Sequence, residues 1–92
     1  MQIEFDLKKR NQTLAERGLD FAHADKVFNG PTKEWRDDRF SYGEPRYITF
    51  GRLGARWVVI VWTPRDSARR IISMRHANAR EIKIYSGQVG RS

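Results

Sequence analysis

Two kinds of hydrophobic spacing run through the chain. Ile3 and Phe5 alternate with polar neighbours, a period of two that predicts a short strand. Asp6 then stands where an N-cap belongs, for a helix running to about Arg17 with Leu7, Leu14 and Ala15 as a narrow apolar stripe. Gly18 ends that helix, and Arg17 suits the negative end of its dipole. Asp20 reads as the next N-cap, and Phe21, Ala24, Val27 and Phe28 recur at helical spacing as far as the turn-forming Asn29-Gly30-Pro31. From Thr32 to Pro45 neither period persists, which predicts a loop with room for a short strand near Trp35.

The spacing changes at Arg46. Arg46 to Arg52, Trp57 to Thr63 and Arg69 to Arg75 are runs rich in Ile, Val, Thr and aromatics, and their short connections predict an antiparallel meander. Asn78-Ala79-Arg80-Glu81 forms a capping-box pattern that opens a helix through Ile82 and Tyr85 to Gly87, leaving Gln88 to Ser92 as a frayed tail. Helices, meander and closing helix give an α+β sandwich whose helices pack on one face of the sheet. Strict alternation sends Ile48, Phe50, Ile72 and Met74 toward the helices. It leaves Tyr47, Thr49, Arg69, Ser73 and Arg75 on an open face, with Arg65 presented by the last turn.

Length and composition narrow the function classes. Ninety-two residues, 39% of them hydrophobic, suffice for one core, so residues 1–92 are expected to form one domain. No apolar run reaches the length of a membrane span, and the first ten residues lack the order of a signal peptide, so a cytoplasmic protein is expected. There is no cysteine, and His23 and His76 are the only histidines, so neither thiolate chemistry nor a metal site is expected, and no cofactor. His23 reads as an exposed helix residue.

The net charge of +7 is carried entirely by the second half of the chain, where nine basic residues face two acidic ones. Thirteen of the 18 basic residues are arginines, whose guanidinium forks onto phosphate or carboxylate. A polyanionic partner fits that bias; the alternative is a charged, solvated surface that keeps a small protein soluble.

Several strings, in their order and separation, resemble the BrnT family of bacterial type II toxins. They are Asp38-Arg39, then Tyr42-Gly43-Glu44-Pro45-Arg46-Tyr47-Ile48, Gly51, Val59 through Thr63-Pro64-Arg65, Arg70 to Ala77 and Glu81 to Tyr85. Asp6, Lys9, Leu14, Gly18, Phe21, Ala24, Val27 and Phe28 also fall at that family's N-terminal spacing. His76 stands where the family usually carries a second cation. The resemblance implies a RelE-like fold and metal-independent RNA cleavage in the bacterial cytoplasm. It also implies a cognate BrnA-like antitoxin that neutralises the toxin and binds operator DNA, linking this chain to DNA only indirectly.

RNA cleavage without metal needs a base for the 2′-hydroxyl, cations around the charged phosphorane, and an acid for the departing 5′-oxygen. Arg46, Arg65 and Arg75 fit the cationic role; the alternative for each is a surface ion pair with Glu44, Asp66 or Glu81. His76 titrates near neutrality in its unperturbed form and is the natural proton carrier, with packing or charge stabilisation as its alternatives and Tyr47 and Glu44 behind it. Tyr47, Arg52, Arg69 and Arg80 complete the expected RNA-binding set. Trp57 and Trp62 are five positions apart in one strand and point to opposite faces, so at most one can meet RNA; Trp35 is open to base stacking or to an antitoxin contact. The competing reading is a basic domain that binds nucleic acid or the antitoxin without catalysis.

Overall fold

A computed structural model describes residues 1–90 of the chain. Strand β1 (Gln2–Phe5) leads into α1 (Leu7–Arg17), capped where the Asp6 carboxylate accepts the backbone N–H of Lys8 and closed by Gly18 at a φ of 68°. Asp20 accepts the N–H of Ala22 and starts a 3-10 turn, Phe21–His23, that runs into α2 (Ala24–Phe28). Strands β2 (Thr32–Arg36), β3 (Tyr47–Leu53), β4 (Arg56–Arg65) and β5 (Ala68–His76) follow, then α3 (Ala79–Tyr85), whose N-terminus carries the Asn78/Glu81 capping box. The chain is thus a mixed α+β protein built on one five-stranded sheet of order β1-β5-β4-β3-β2. β1 lies parallel to β5 and the other pairs are antiparallel. Both hairpins of the meander turn on two residues, with Gly54 at φ 63° and Asp66 at φ 52° in the first position of each.

The sheet departs from expectation in four ways. First, the short strand allowed for near Trp35 is a five-residue edge strand, Thr32–Arg36, that begins where the loop was expected to begin and pairs with β3 from Thr32 opposite Gly51 to Arg36 opposite Tyr47. Trp35 is its single large apolar residue, so the alternation was invisible in the sequence. Second, helices cover both faces. Leu19, Phe21, Ala24 and Val27 pack on Val58, Ile60, Trp62, Ile71 and Met74. On the other side Ile48, Phe50 and Val59 pack under Ile82, Tyr85 and Val89, together with Trp35 and Trp57. Full burial of side chains such as Phe21 and Phe50, 1% and 0% exposed, contributes about 2–3 kcal/mol each.

Third, the faces of β3 are reversed from those expected. Tyr47, Thr49 and Gly51 look toward the N-terminal helices, and Ile48 and Phe50 toward α3. Thr49 is buried rather than open; its hydroxyl receives the Trp62 indole N–H at 2.9 Å and donates to Glu34 at 2.8 Å. Gly51 makes the reversal possible: a Cβ there would stand 2.8 Å from Val27 Cγ1, so α2 rests directly on the β3 backbone. An irregularity between Val61 and Trp62 then breaks strict alternation in β5, pairing Met74 with Ile60 but Ile71 with Trp62. Ile71 and Met74, three apart, therefore share the helix side. Fourth, the end of the chain is docked rather than frayed: Val89 packs below α3 and the Gly90 N–H donates to the Thr32 carbonyl at 3.0 Å. Arg91 and Ser92, the rest of the expected tail, lie outside the described residues.

Candidate functional site

α3 is seven residues long, enough to cover β2, β3 and the middle of β4 but not the whole of its side of the sheet. The uncovered part lies over the end of β4 and over β5, where Val61, Arg70, Ser73 and Arg75 remain at least partly accessible. The loop from Asp37 to Arg46 borders it. That loop is organised around a carboxylate with no exposed side-chain surface. Asp37 accepts both arms of the Arg39 guanidinium at 2.8 Å, the Arg39 backbone N–H at 3.2 Å and the Tyr42 hydroxyl at 3.1 Å. The Arg39 hydrogen bonds hold the Asp37 carboxyl well below the usual carboxylate range and raise the guanidinium in turn.

Arg46 leaves this loop with its guanidinium 4.0 Å above the Tyr42 ring and its Nε 3.2 Å from Glu44. The other Glu44 oxygen lies 3.8 Å from Arg65 Nη2, so one carboxylate bridges two arginines at the end of the β3–β4 pair. The Thr63 hydroxyl donates to the Pro45 carbonyl at 2.6 Å and ties the loop to β4. Arg75 lies deeper along the face, opposite Val59. Glu81 receives both its arms at 2.8 and 2.7 Å, which raises the Arg75 pKa and lowers that of Glu81, while the Arg39 charge opposes the Arg75 cation. Glu81 Oε1 accepts the Asn78 N–H as well, so the capping box and the Arg75 clamp share an oxygen.

The structure therefore gathers Arg46, Arg65 and Arg75 on one side of the sheet, each beside a carboxylate, and adds Arg39, Asp37 and Tyr42, which were not among the expected site residues. The available signal for these was the charge pair at Asp37 and Arg39, two apart, within a loop that has no periodicity. His76 does not join them. It follows Arg75 in an extended strand, points to the helix side opposite Val58, and its Nε2 lies 2.9 Å from the Arg17 carbonyl. A carbonyl only accepts, so in this pairing Nε2 carries the proton and His76 fastens the end of α1 to β5. Arg17 adds a second tie by donating to the Met74 carbonyl at 2.9 Å.

The expected RNA-binding residues are dispersed. Tyr47 stacks on Trp62 on the helix side, ring centroids 5.1 Å apart, and Arg69 lies on the same side with Cζ 4.1 Å over Phe28 and 5.0 Å over Trp62. Arg52 lies over Trp57 at the far end of β3, and Arg80 is exposed in the first turn of α3. The tryptophans are structural: Trp62 is 6% exposed, Trp57 stacks on Phe50 at 4.9 Å, and Trp35 lies 4.9 Å from Tyr85 rather than out on a loop. Among the described residues no three of His, Cys, Asp and Glu converge as a metal site requires, and no helix is long and apolar enough to cross a membrane.

Comparison with known proteins puts the chain among the ribonuclease toxins of type II toxin-antitoxin systems. The family is BrnT: its model, described as the ribonuclease toxin BrnT of type II toxin-antitoxin systems, matches residues 5–81, and the chain belongs to it. Among solved structures it is similar to the Brucella abortus ribonuclease toxin BrnT, a 1.1 Å crystal structure, at 30% identity. That match covers 85% of this chain and 97% of the other, with a TM-score of 0.68. A comparison with curated proteins gives no match. Membership in this family implies an RNA target and an antitoxin partner.

Proposed function

We propose that the chain is a RelE-like, metal-independent endoribonuclease that cuts RNA at the arginine-bordered face beside α3. The consequence is inhibition of translation and growth in the bacterial cytoplasm. In this reading a BrnA-like antitoxin neutralises it, and the complex reaches operator DNA through the antitoxin. The observation that carries the proposal is the grouping of Arg46, Arg65 and Arg75 on one partly uncovered sheet face, within the segment that matches a ribonuclease family.

The chemistry follows from the side chains present. The 2′-oxygen attacks phosphorus, the 5′-oxygen leaves, and the products carry a 2′,3′-cyclic phosphate and a 5′-hydroxyl. Charge accumulates on the nonbridging oxygens, where guanidinium forks stabilise it; removal of one such donor typically costs about 3–4 kcal/mol of barrier. Of the expected proton carriers, His76 and Tyr47 belong to the helix side, which leaves Glu44 as the acceptor suited to the 2′-hydroxyl proton and solvent water as the donor that protonates the departing 5′-oxygen.

The test is cleavage of RNA by the purified chain in excess EDTA, with the product ends mapped and the antitoxin added in a parallel arm. Cyclic-phosphate ends that appear in chelator and vanish with antitoxin are the expected result. Intact RNA, or cleavage that needs a divalent ion, overturns the proposal. RNA that binds the basic face without being cut supports the non-catalytic binding domain instead.

A further inference from the structure

The helix side of the sheet carries a basic group that the proposed cleavage site does not use. Arg69 lies opposite Pro64, and Tyr47 opposite Trp62, so both stand at the strand end from which Arg46 and Arg65 project on the other side. Arg10, Arg36, Arg39, Arg46, Arg65, Arg70 and Arg75 each have a carboxylate within 4 Å. Arg69 has none among the described residues. Its guanidinium instead rests on the rings of Phe28 and Trp62, and its Nε is buried without a hydrogen-bond partner. Ring contact occupies the faces of a guanidinium and leaves its in-plane N–H donors unused. The Tyr47 hydroxyl, on the ring stacked against the same Trp62, also has no hydrogen-bond partner among the described residues. Burial against aromatics lowers the local dielectric, so an unneutralised cation there attracts an arriving anion more strongly than a solvated one does.

We infer that Arg69 and Tyr47, seated on Trp62 and Phe28, form a second phosphate subsite for single-stranded RNA, and that the strand bends around the sheet end from the Arg46 and Arg65 side to reach it. This rests on the RNA reading of the protein and extends it to the reverse face. Continuity supports it: Pro64 and Arg65 are adjacent in β4, and Pro64 faces Arg69 across the β4–β5 ladder, so Arg46, Arg65 and Arg69 follow one another around the sheet end, with Glu44 bridging the first two and Asp66 in the adjoining turn. The guanidinium fork would hold two phosphate oxygens, and the tyrosine hydroxyl a third oxygen or a 2′-hydroxyl.

The experiment measures binding apart from cleavage, with a 2′-O-methylated oligouridine that cannot react, titrated at several salt concentrations against the wild type, Arg69→Met, Tyr47→Phe and Arg75→Met. Methionine keeps the aliphatic stem on the rings, and a thermal melt of each variant confirms that it is folded. Arg69→Met is expected to weaken binding about tenfold, the worth of one charged hydrogen-bonded contact. It should also reduce the magnitude of the log–log salt slope by about 0.7, one single-strand phosphate contact. Cleavage of a dinucleotide, too short to reach both faces, should be unchanged.

Unchanged binding and slope in folded Arg69→Met, with a loss in Arg75→Met, overturns the subsite and leaves the cleavage face standing. A wild type that does not bind the oligomer overturns both. Loss of dinucleotide cleavage by Arg69→Met returns Arg69 to the cleavage site, and loss of antitoxin binding with RNA binding intact assigns the cluster to an acidic antitoxin contact; either result refutes the subsite.

Discussion

At the scale of single residues, the same carboxylates that position the arginines also partly neutralise them. Arg75 is clamped by Glu81 with both arms, so a phosphate must share or replace that clamp before it gains the full charge. Arg75→Ala is expected to slow cleavage about a hundredfold, with Arg75→Lys rescuing little because an ammonium cannot fork; single-turnover rates check both. The proton role separates by side of the sheet. Glu44→Gln should abolish the acidic limb of the pH–rate profile, whereas His76→Ala should leave the profile unchanged and lower the melting temperature by loosening α1. Acid stability follows from three depressed carboxyls: Asp37, held low by Arg39, Asp20, lowered to about 2 chiefly by the Arg10 hydrogen bonds, and Glu81, lowered by the Arg75 hydrogen bonds. Because their folded values lie below the unfolded ones near 4, their stabilisation is complete above about pH 4 and is lost as pH falls below it. Denaturant melts from pH 5 to 2 should show that decline, and it should be shallower in Asp20→Asn and Asp37→Asn.

Among the elements, contact between α2 and β3 is the least forgiving. Gly51→Ala drives a methyl to 2.8 Å from Val27 and 3.1 Å from Thr32, which is expected to cost about 1–3 kcal/mol in a chemical denaturation series. Elements whose signals are local were legible in the sequence. Asp6 and Gly18 bracket α1, the Asn78/Glu81 box opens α3, and the two short turns define the β3–β5 meander. What was hidden depends on distant partners. β1 has no signal for its parallel neighbour β5, and β2 carries one apolar side chain to announce its face. A period of two fails at the Val61/Trp62 irregularity but holds at Arg75-His76, where adjacent strand residues point to opposite sides. Thus Arg46, Arg65 and Arg75 stand on the side of the sheet that the sequence predicts for them, while Tyr47 and Arg69 stand on the opposite side and His76 is turned away from the arginines. The Asp37 to Arg46 loop shows why: its order comes from one buried carboxylate, which no periodicity records.

Over the whole molecule the excess of +7 acts at a distance, and binding to RNA should follow it. For three to four single-strand phosphate contacts, affinity is expected to fall roughly twenty- to fiftyfold between 50 and 200 mM salt, a slope that fluorescence anisotropy can measure. The topology has a further consequence in the order of synthesis. β1 emerges from the ribosome well before its ladder partner, which begins with Ala68 opposite Gln2. α1 waits on the same strand, since Arg17 and His76 fasten it to β5. A nascent chain shorter than β5 therefore cannot close the sheet, and it lacks Arg75 as well. The long loop that must close before β1 docks makes this a late step in folding. Folding in this order leaves the arginine-bordered face incomplete until β5 has cleared the exit tunnel, so the candidate site is assembled after, and not during, the synthesis of the strands that flank it.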